Sequence, residues 1–221
     1  MKVAVIQFPG SNCDLDTLHV LRDVVGVDAD LIWHKRFKDS NYDAAVLPGG
    51  FSYGDHLRAG IIAAYSPAMA SVKEMAKQNK PILGICNGFQ ILVESSLLPG
   101  ALLRNSNLKF ICKWTTLRVE TRHSAFTQLY QKGQSIRMPI AHNEGRFFVE
   151  EEMLEDLHRH DQIVFRYSGE NPNGAIDDVA GICNEDRNVV GLMPHPERAS
   201  ESILGSEDGR KMFESMLNWL K

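Results

Sequence analysis

A chain of 221 residues, 43% hydrophobic and 24% charged, has ordinary globular usage and can bury both a sizeable core and a deep site. Its 24 basic and 28 acidic side chains leave a net charge of −4, which gives neither nucleic acid nor an anionic membrane an electrostatic reason to bind. No apolar run approaches the ~18 residues of a membrane span. The opening Val3-Ala4-Val5-Ile6 is too short for a signal peptide, so the expectation is one domain over residues 1–221 in the cytoplasm.

The elements follow from apolar spacing. Lys2–Phe8 reads as a buried strand closed by Pro9-Gly10. Asp14–Val25 reads as a helix, with Leu15, Leu18, Leu21, Val24 and Val25 on one stripe and Gly26 ending it. Ala29–Trp33 and Ala44–Leu47 are strands, the latter stopped by Pro48-Gly49-Gly50. Pro67–Gln78 is a helix with Ala68, Val72, Met75 and Ala76 inward. Pro81–Ile85 is a strand, and a helix over Phe89–Ser95 follows it. Leu108–Glu120, Ser135–Ala141, Gln162–Tyr167, Val179–Cys183 and Val189–Met193 are strand-like, with few helices between. Glu207–Leu220 closes the chain as a helix, with Met212, Phe213, Met216, Leu217 and Leu220 inward.

Alternation in the first half predicts an α/β fold: an open, mostly parallel sheet with helices on both faces. The second half predicts antiparallel strands that extend or flank that sheet.

The four cysteines, Cys13, Cys86, Cys112 and Cys183, form no CxxC pair and no zinc-type cluster. No group of carboxylates suggests a metal. Cys86 stands apart because Gly84-Ile85-Cys86-Asn87-Gly88 follows a strand and opens a helix. This is the G-x-nucleophile-x-G elbow with cysteine in the serine position. The helix N-terminus below it offers free N–H groups and a positive dipole end, which stabilise negative charge on sulfur. Cys13, Cys112 and Cys183 are expected to pack as small hydrophobes.

A nucleophile needs a base, and the base needs a group to orient it. Pro194-His195-Pro196-Glu197 supplies both just past a strand end. In extended chain, residues two apart point the same way, so Glu197 can reach the imidazole of His195. Oxyanion donors are expected at the Asn87 N–H and at Gly49-Gly50 after another strand. His142 can line the cleft. His19, His34, His56, His123, His158 and His160 read as surface or satisfied histidines.

Pro-Gly-Gly, then Gly-x-Cys-x-Gly, then His-Pro-Glu, in this order and spacing, resembles the class I triad glutamine amidotransferases over essentially the whole chain. The resemblance implies a flavodoxin-like sheet and hydrolysis of glutamine through a γ-glutamyl thioester, with ammonia passed to a synthetase. It makes Cys86 the nucleophile, His195 the acid/base and Glu197 its partner. Gly50 and Asn87 become oxyanion donors, with Gly49 beside them, and Gln90 helps to hold glutamine.

Longer strings resemble one branch of that family, the glutaminase subunits of phosphoribosylformylglycinamidine synthase. They are Phe8-Pro9-Gly10-Ser11-Asn12-Cys13-Asp14, Pro48-Gly49-Gly50-Phe51-Ser52-Tyr53-Gly54-Asp55, Cys86-Asn87-Gly88-Phe89-Gln90-Ile91-Leu92, Asn171-Pro172-Asn173-Gly174 and Met193-Pro194-His195-Pro196-Glu197-Arg198. That resemblance implies two partners, a large synthetase subunit plus a small accessory subunit. ATP and Mg2+ then belong to the synthetase and no cofactor to this chain, which also has no GxxxxGK[ST] phosphate loop. The glutaminase of a different synthetase is the alternative, and the first two strings argue against it.

Overall fold

The computed structural model describes residues 1–221. The strands are β1 (Lys2–Gln7), β2 (Asp28–Trp33), β3 (Ala44–Leu47), β4 (Ile82–Ile85), β5 (Ala101–Leu103), β6 (Ile111–Val119), β7 (Ser135–His142), β8 (Arg146–Phe148), β9 (Ile163–Tyr167), β10 (Val179–Cys183) and β11 (Val189–Leu192). The helices are α1 (Asp14–His19), α2 (Ile61–Ala64), α3 (Pro67–Lys77), α4 (Asn87–Glu94), α5 (Glu151–Arg159) and α6 (Arg210–Trp219).

Nine strands form one sheet in the order β2-β1-β3-β4-β11-β10-β9-β6-β7. The first five are mutually parallel, and every pairing from β11 through β10, β9 and β6 to β7 is antiparallel. The parallel half has the flavodoxin-like 2-1-3-4-5 order, with β11 in the fifth place. The antiparallel strands extend the sheet. Only β5 and β8 stand aside, as a two-stranded ribbon.

Burial follows this division. β3, β4 and β11 are buried at every position, as strands covered on both faces must be. Edge strand β7 instead alternates, with Ser135 and Arg137 outward and Ile136, Met138 and Ile140 inward. The open edge of β7 is closed by the segment before α6. Arg137 N–H donates to Asp208 Oδ2 at 2.8 Å, and Ser206 Oγ donates to Arg137 O at 3.0 Å.

Several elements differ from the expected ones. α1 runs into a π turn over Val20–Val24, so Leu21 is buried while Leu15 is 64% exposed rather than on the inner stripe. α4 begins at Asn87, directly after Cys86, two residues before the expected start. In α6, Met212, Phe213 and Met216 are fully buried, and Leu217 and Leu220 pack at the core's margin. α2, α5, β5 and β8 have no counterpart among the expected elements. The first is four residues long and both strands are three, too short for a period to register. In α5 only Leu157 is buried.

Candidate active site

The carboxyl ends of four parallel strands face one edge. β1 delivers residues 8–13, β3 delivers 48–55, β4 delivers Cys86 and β11 delivers 193–197. Such an edge is where open α/β sheets place their ligands. The first two loops are laced together. Asn12 and Cys13 N–H both donate to Gly49 O, at 3.3 and 3.2 Å, and Tyr53 N–H donates to Pro9 O at 2.7 Å.

Cys86 has φ 50° and ψ −102°, a region that a residue with a Cβ rarely adopts. Strain of this kind costs about 1–3 kcal/mol and persists only where the surroundings enforce it. Here the ladder does so: Cys86 N–H donates to Leu192 O at 2.8 Å, and Cys86 O accepts from Gln90 N–H at 3.1 Å. The flanking glycines let helix and strands close up. A Cβ on Gly88 would lie 2.0 Å from Leu47 O, and one on Gly84 would lie 2.5 Å from Leu92 Cδ1.

His195 hangs from β7 through its N–H to Pro139 O at 2.9 Å. Its Nδ1 is 2.6 Å from Glu197 Oε1, with both side chains buried. Burial alone favours the neutral ring. The Glu197 carboxylate and the Cys86 sulfur outweigh it and raise the imidazole pKa well above 6.5. His195 Nε2 and Glu197 Oε2 are buried and have no hydrogen-bond partner. Gly49 makes room for the ring, since a Cβ there would lie 2.8 Å from His195 Cε1. Cys86, His195, Gly50 and Ala141 help to line a cleft of about 140 Å³. Larger hollows beside α5 and β5 hold none of these groups.

Asn87 opens α4, so its N–H has no carbonyl within the helix. Its side chain ties the loop after β3 to α4: Oδ1 accepts from Ser52 N–H at 3.1 Å, and Nδ2 donates to Gln90 Oε1 at 2.9 Å. Gln90 Nε2 in turn donates to Glu144 O at 2.6 Å. Gln90 therefore braces the Glu144 turn. His142 is set back from the cleft. His142 Nδ1 is 3.0 Å from Asn105 Oδ1, and burial lowers the imidazole pKa to about 3. Its neighbour Ala141 supplies the wall.

Two cysteines depart from expectation. Cys183 packs in the core, but Cys112 is exposed on β6. Cys13 is buried at the site itself, where it accepts from Arg198 Nη2 at 3.2 Å and lines the cleft. Its place at the end of β1, on the same edge as Cys86, is the signal the sequence offers for this. Asp55 carries no such signal. Burial and the Glu144 carboxylate raise its pKa to about 6.

An elbow cysteine beside a buried imidazole–carboxylate pair can carry out acyl transfer through a thioester. Residues 1–220 match the family model of the CobB/CobQ-like glutamine amidotransferase domain. The phosphoribosylformylglycinamidine synthase subunit PurQ from Methanosarcina acetivorans is 58% identical, with 100% of this chain and 98% of that one covered; the Methanosarcina mazei counterpart gives the same figures. The solved structure of PurLQS from Thermotoga maritima matches with a TM-score of 0.91 and 46% identity, covering 100% of this chain and 99% of that one. A second Thermotoga maritima structure, of a glutamine amidotransferase, is 17% identical with a TM-score of 0.61 (100% of this chain, 96% of that one) and shares the fold. The chain belongs to the glutamine amidotransferase family, among its PurQ members.

Proposed function

We propose that this chain is the glutaminase subunit of a phosphoribosylformylglycinamidine synthase. It hydrolyses glutamine and supplies ammonia for ATP-dependent conversion of formylglycinamide ribonucleotide to the amidine. Full-length identity to PurQ subunits supports the pathway. The observation that carries the chemistry is the 2.6 Å His195–Glu197 pair buried beside the strained Cys86.

In this reading the protonated His195 ring holds the Cys86 sulfur as thiolate. The sulfur attacks the amide carbon of glutamine. The oxyanion meets the backbone N–H groups of Asn87 and Gly50, with Gly49 beside them. His195 gives its proton to the leaving nitrogen, and ammonia departs from a γ-glutamyl thioester. Neutral His195 then takes a proton from water, whose oxygen attacks the thioester. Glutamate leaves, and the proton returns to the Cys86–His195 pair. Glu197 holds the ring in place through both steps. Gln90, held by its hydrogen bond to Glu144 O, helps to hold the glutamine substrate.

The reading includes two partners, a PurL-type large subunit with a small accessory subunit, and it puts ATP and Mg2+ on the large one. The PurLQS structure supports the first of these. No helix is long and apolar enough to cross a membrane, and the cytoplasm is the proposed location.

The test mixes the chain with the large and accessory subunits and follows glutamate and amidine. Wild type is expected to form amidine from glutamine, and Cys86→Ala only from ammonium. Glutamate without amidine would overturn the pathway and leave the glutaminase reading intact.

A further inference from the structure

Cys13 takes no part in the reaction above, yet its sulfur sits against the acid/base pair. Cys13 Sγ, a ring nitrogen of His195 and a carboxylate oxygen of Glu197 all lie within 4.8 Å of one another, and all three residues are buried. The cluster is also under-satisfied, because Glu197 Oε2 and His195 Nε2 have no partner. The cleft gives access, since Cys13, His195 and Arg198 line it.

We propose that Cys13, His195 and Glu197 form a site for a thiophilic divalent cation, Zn2+ or Cd2+, whose binding switches the imidazole off. Thiolate, imidazole and carboxylate are the donor types zinc takes, whereas Mg2+ demands an octahedron of oxygens. Zinc–ligand bonds of about 2.0–2.3 Å put tetrahedral ligand atoms roughly 3.3–3.8 Å apart, so the sulfur closes in by up to about 1 Å while the 2.6 Å Nδ1–Oε1 contact gives way to the metal. The Cys13 thiol and the His195 imidazolium each give a proton to solvent as the metal binds, and affinity therefore rises with pH.

Arg198 is the opposing charge. Its Nη2 donates to Cys13 Sγ, but its Nε also pairs with Asp16 at 3.3 Å, and the side chain is 40% exposed. The guanidinium can leave the sulfur without being buried unpaired. With the metal bound, His195 no longer exchanges protons and glutamine hydrolysis stops. That consequence rests on the glutaminase reading, whereas the binding itself does not.

The experiment titrates the purified chain with Zn2+ against a chromophoric chelator. It repeats the titration with Co2+, reading the thiolate-to-metal charge-transfer band, for wild type, Cys13→Ser and Cys86→Ala in excess Mg2+. One equivalent is expected to bind wild type. Cys13→Ser should weaken binding by about 10–100-fold and lose the band, while Cys86→Ala keeps both. Glutamate release by wild type should fall with occupancy, and Cys13→Ser, measured against its own metal-free rate, should resist. If Cys13→Ser does not fold, Zn2+ protection of Cys13 from alkylation in wild type, read by peptide mass, replaces it. Binding unaffected by Cys13→Ser, lost in Cys86→Ala, or without protection of Cys13 overturns the site. Metal binding by the chain without any glutamate release by the assembled enzyme sinks the glutaminase reading alone.

Discussion

His195 Nδ1 and Glu197 Oε1 are 2.6 Å apart in a pair almost wholly shielded from water. No long-range contact is needed to bring them together, because Pro194-His195-Pro196-Glu197 carries both groups two residues apart. The charge on Glu197 keeps the ring protonated and its orientation fixed. Glu197→Gln removes that charge and presents a donor to the wrong tautomer. Glutamine-dependent kcat should fall by about 10³–10⁴ in the assembled enzyme, as in triads where the orienting carboxylate is amidated. Ammonium-dependent amidine formation should stay within about twofold of wild type, on the order of experimental scatter. Steady-state assays with the two nitrogen sources check both.

Gly49→Ala places a methyl carbon 2.8 Å from His195 Cε1 and 3.1 Å from Cys13 Sγ. The ring must move, and misplacement by about 1 Å costs on the order of 10² in rate. The expected result is a loss of kcat with thermal stability changed little. A folded Gly49→Ala variant with wild-type kcat would argue against the placement of His195.

Gly88→Ala should act on the fold instead. Its Cβ would stand 2.0 Å from Leu47 O, which is backbone and cannot rotate away. α4 must lift off β3, at a cost of about 1–3 kcal/mol or more. Chemical denaturation of the isolated chain measures it.

Asp55 gives a pH signature. Its folded pKa of about 6 lies above the carboxylate's usual 3.8, so between those values the folded state binds more protons than the unfolded one. Stability contributed by the neutral form is present below about pH 4 and is lost as pH rises through 6. Asp55→Asn removes the ionisation. It should be the more stable protein above pH 6, by up to about 1 kcal/mol after discounting for solvent at this half-buried site. The advantage should vanish near pH 4. Melting curves across that range test the sign.

His142 has the opposite dependence. Burial lowers its pKa from 6.5 to about 3, so on acidification the unfolded chain takes up its proton first. Stability is full above 6.5 and falls towards pH 3, by about 4 kcal/mol in all. His142→Gln should flatten this acid limb in a pH-dependent denaturation series.

What is legible in the sequence depends on range along the chain. Ala44–Leu47 and Val189–Leu192 are buried on both faces, so their apolar runs are unbroken and end at turn residues. The elbow and His-Pro-Glu each hold their chemistry within a few residues. Cys13 reads as a plain core residue because what makes it unusual is its neighbours: Arg198 is 185 residues away in the chain. The hydrogen bond from Gln90 to Glu144 O is equally illegible, because the acceptor comes from a turn 54 residues on. α5 is easily passed over because Met153, Leu154 and Leu157 are its only apolar residues, set in a short charged run, and Leu157 alone is buried.

The mechanism stands on Cys86, and not its neighbour Cys13, carrying the γ-glutamyl group. Acid-quenching the assembled enzyme during glutamine turnover and mapping peptides by mass tests this most directly. One γ-glutamyl adduct is expected, on the peptide that contains Cys86, absent from Cys86→Ala and retained in Cys13→Ser. An adduct on Cys13, or steady turnover by Cys86→Ala, would contradict it.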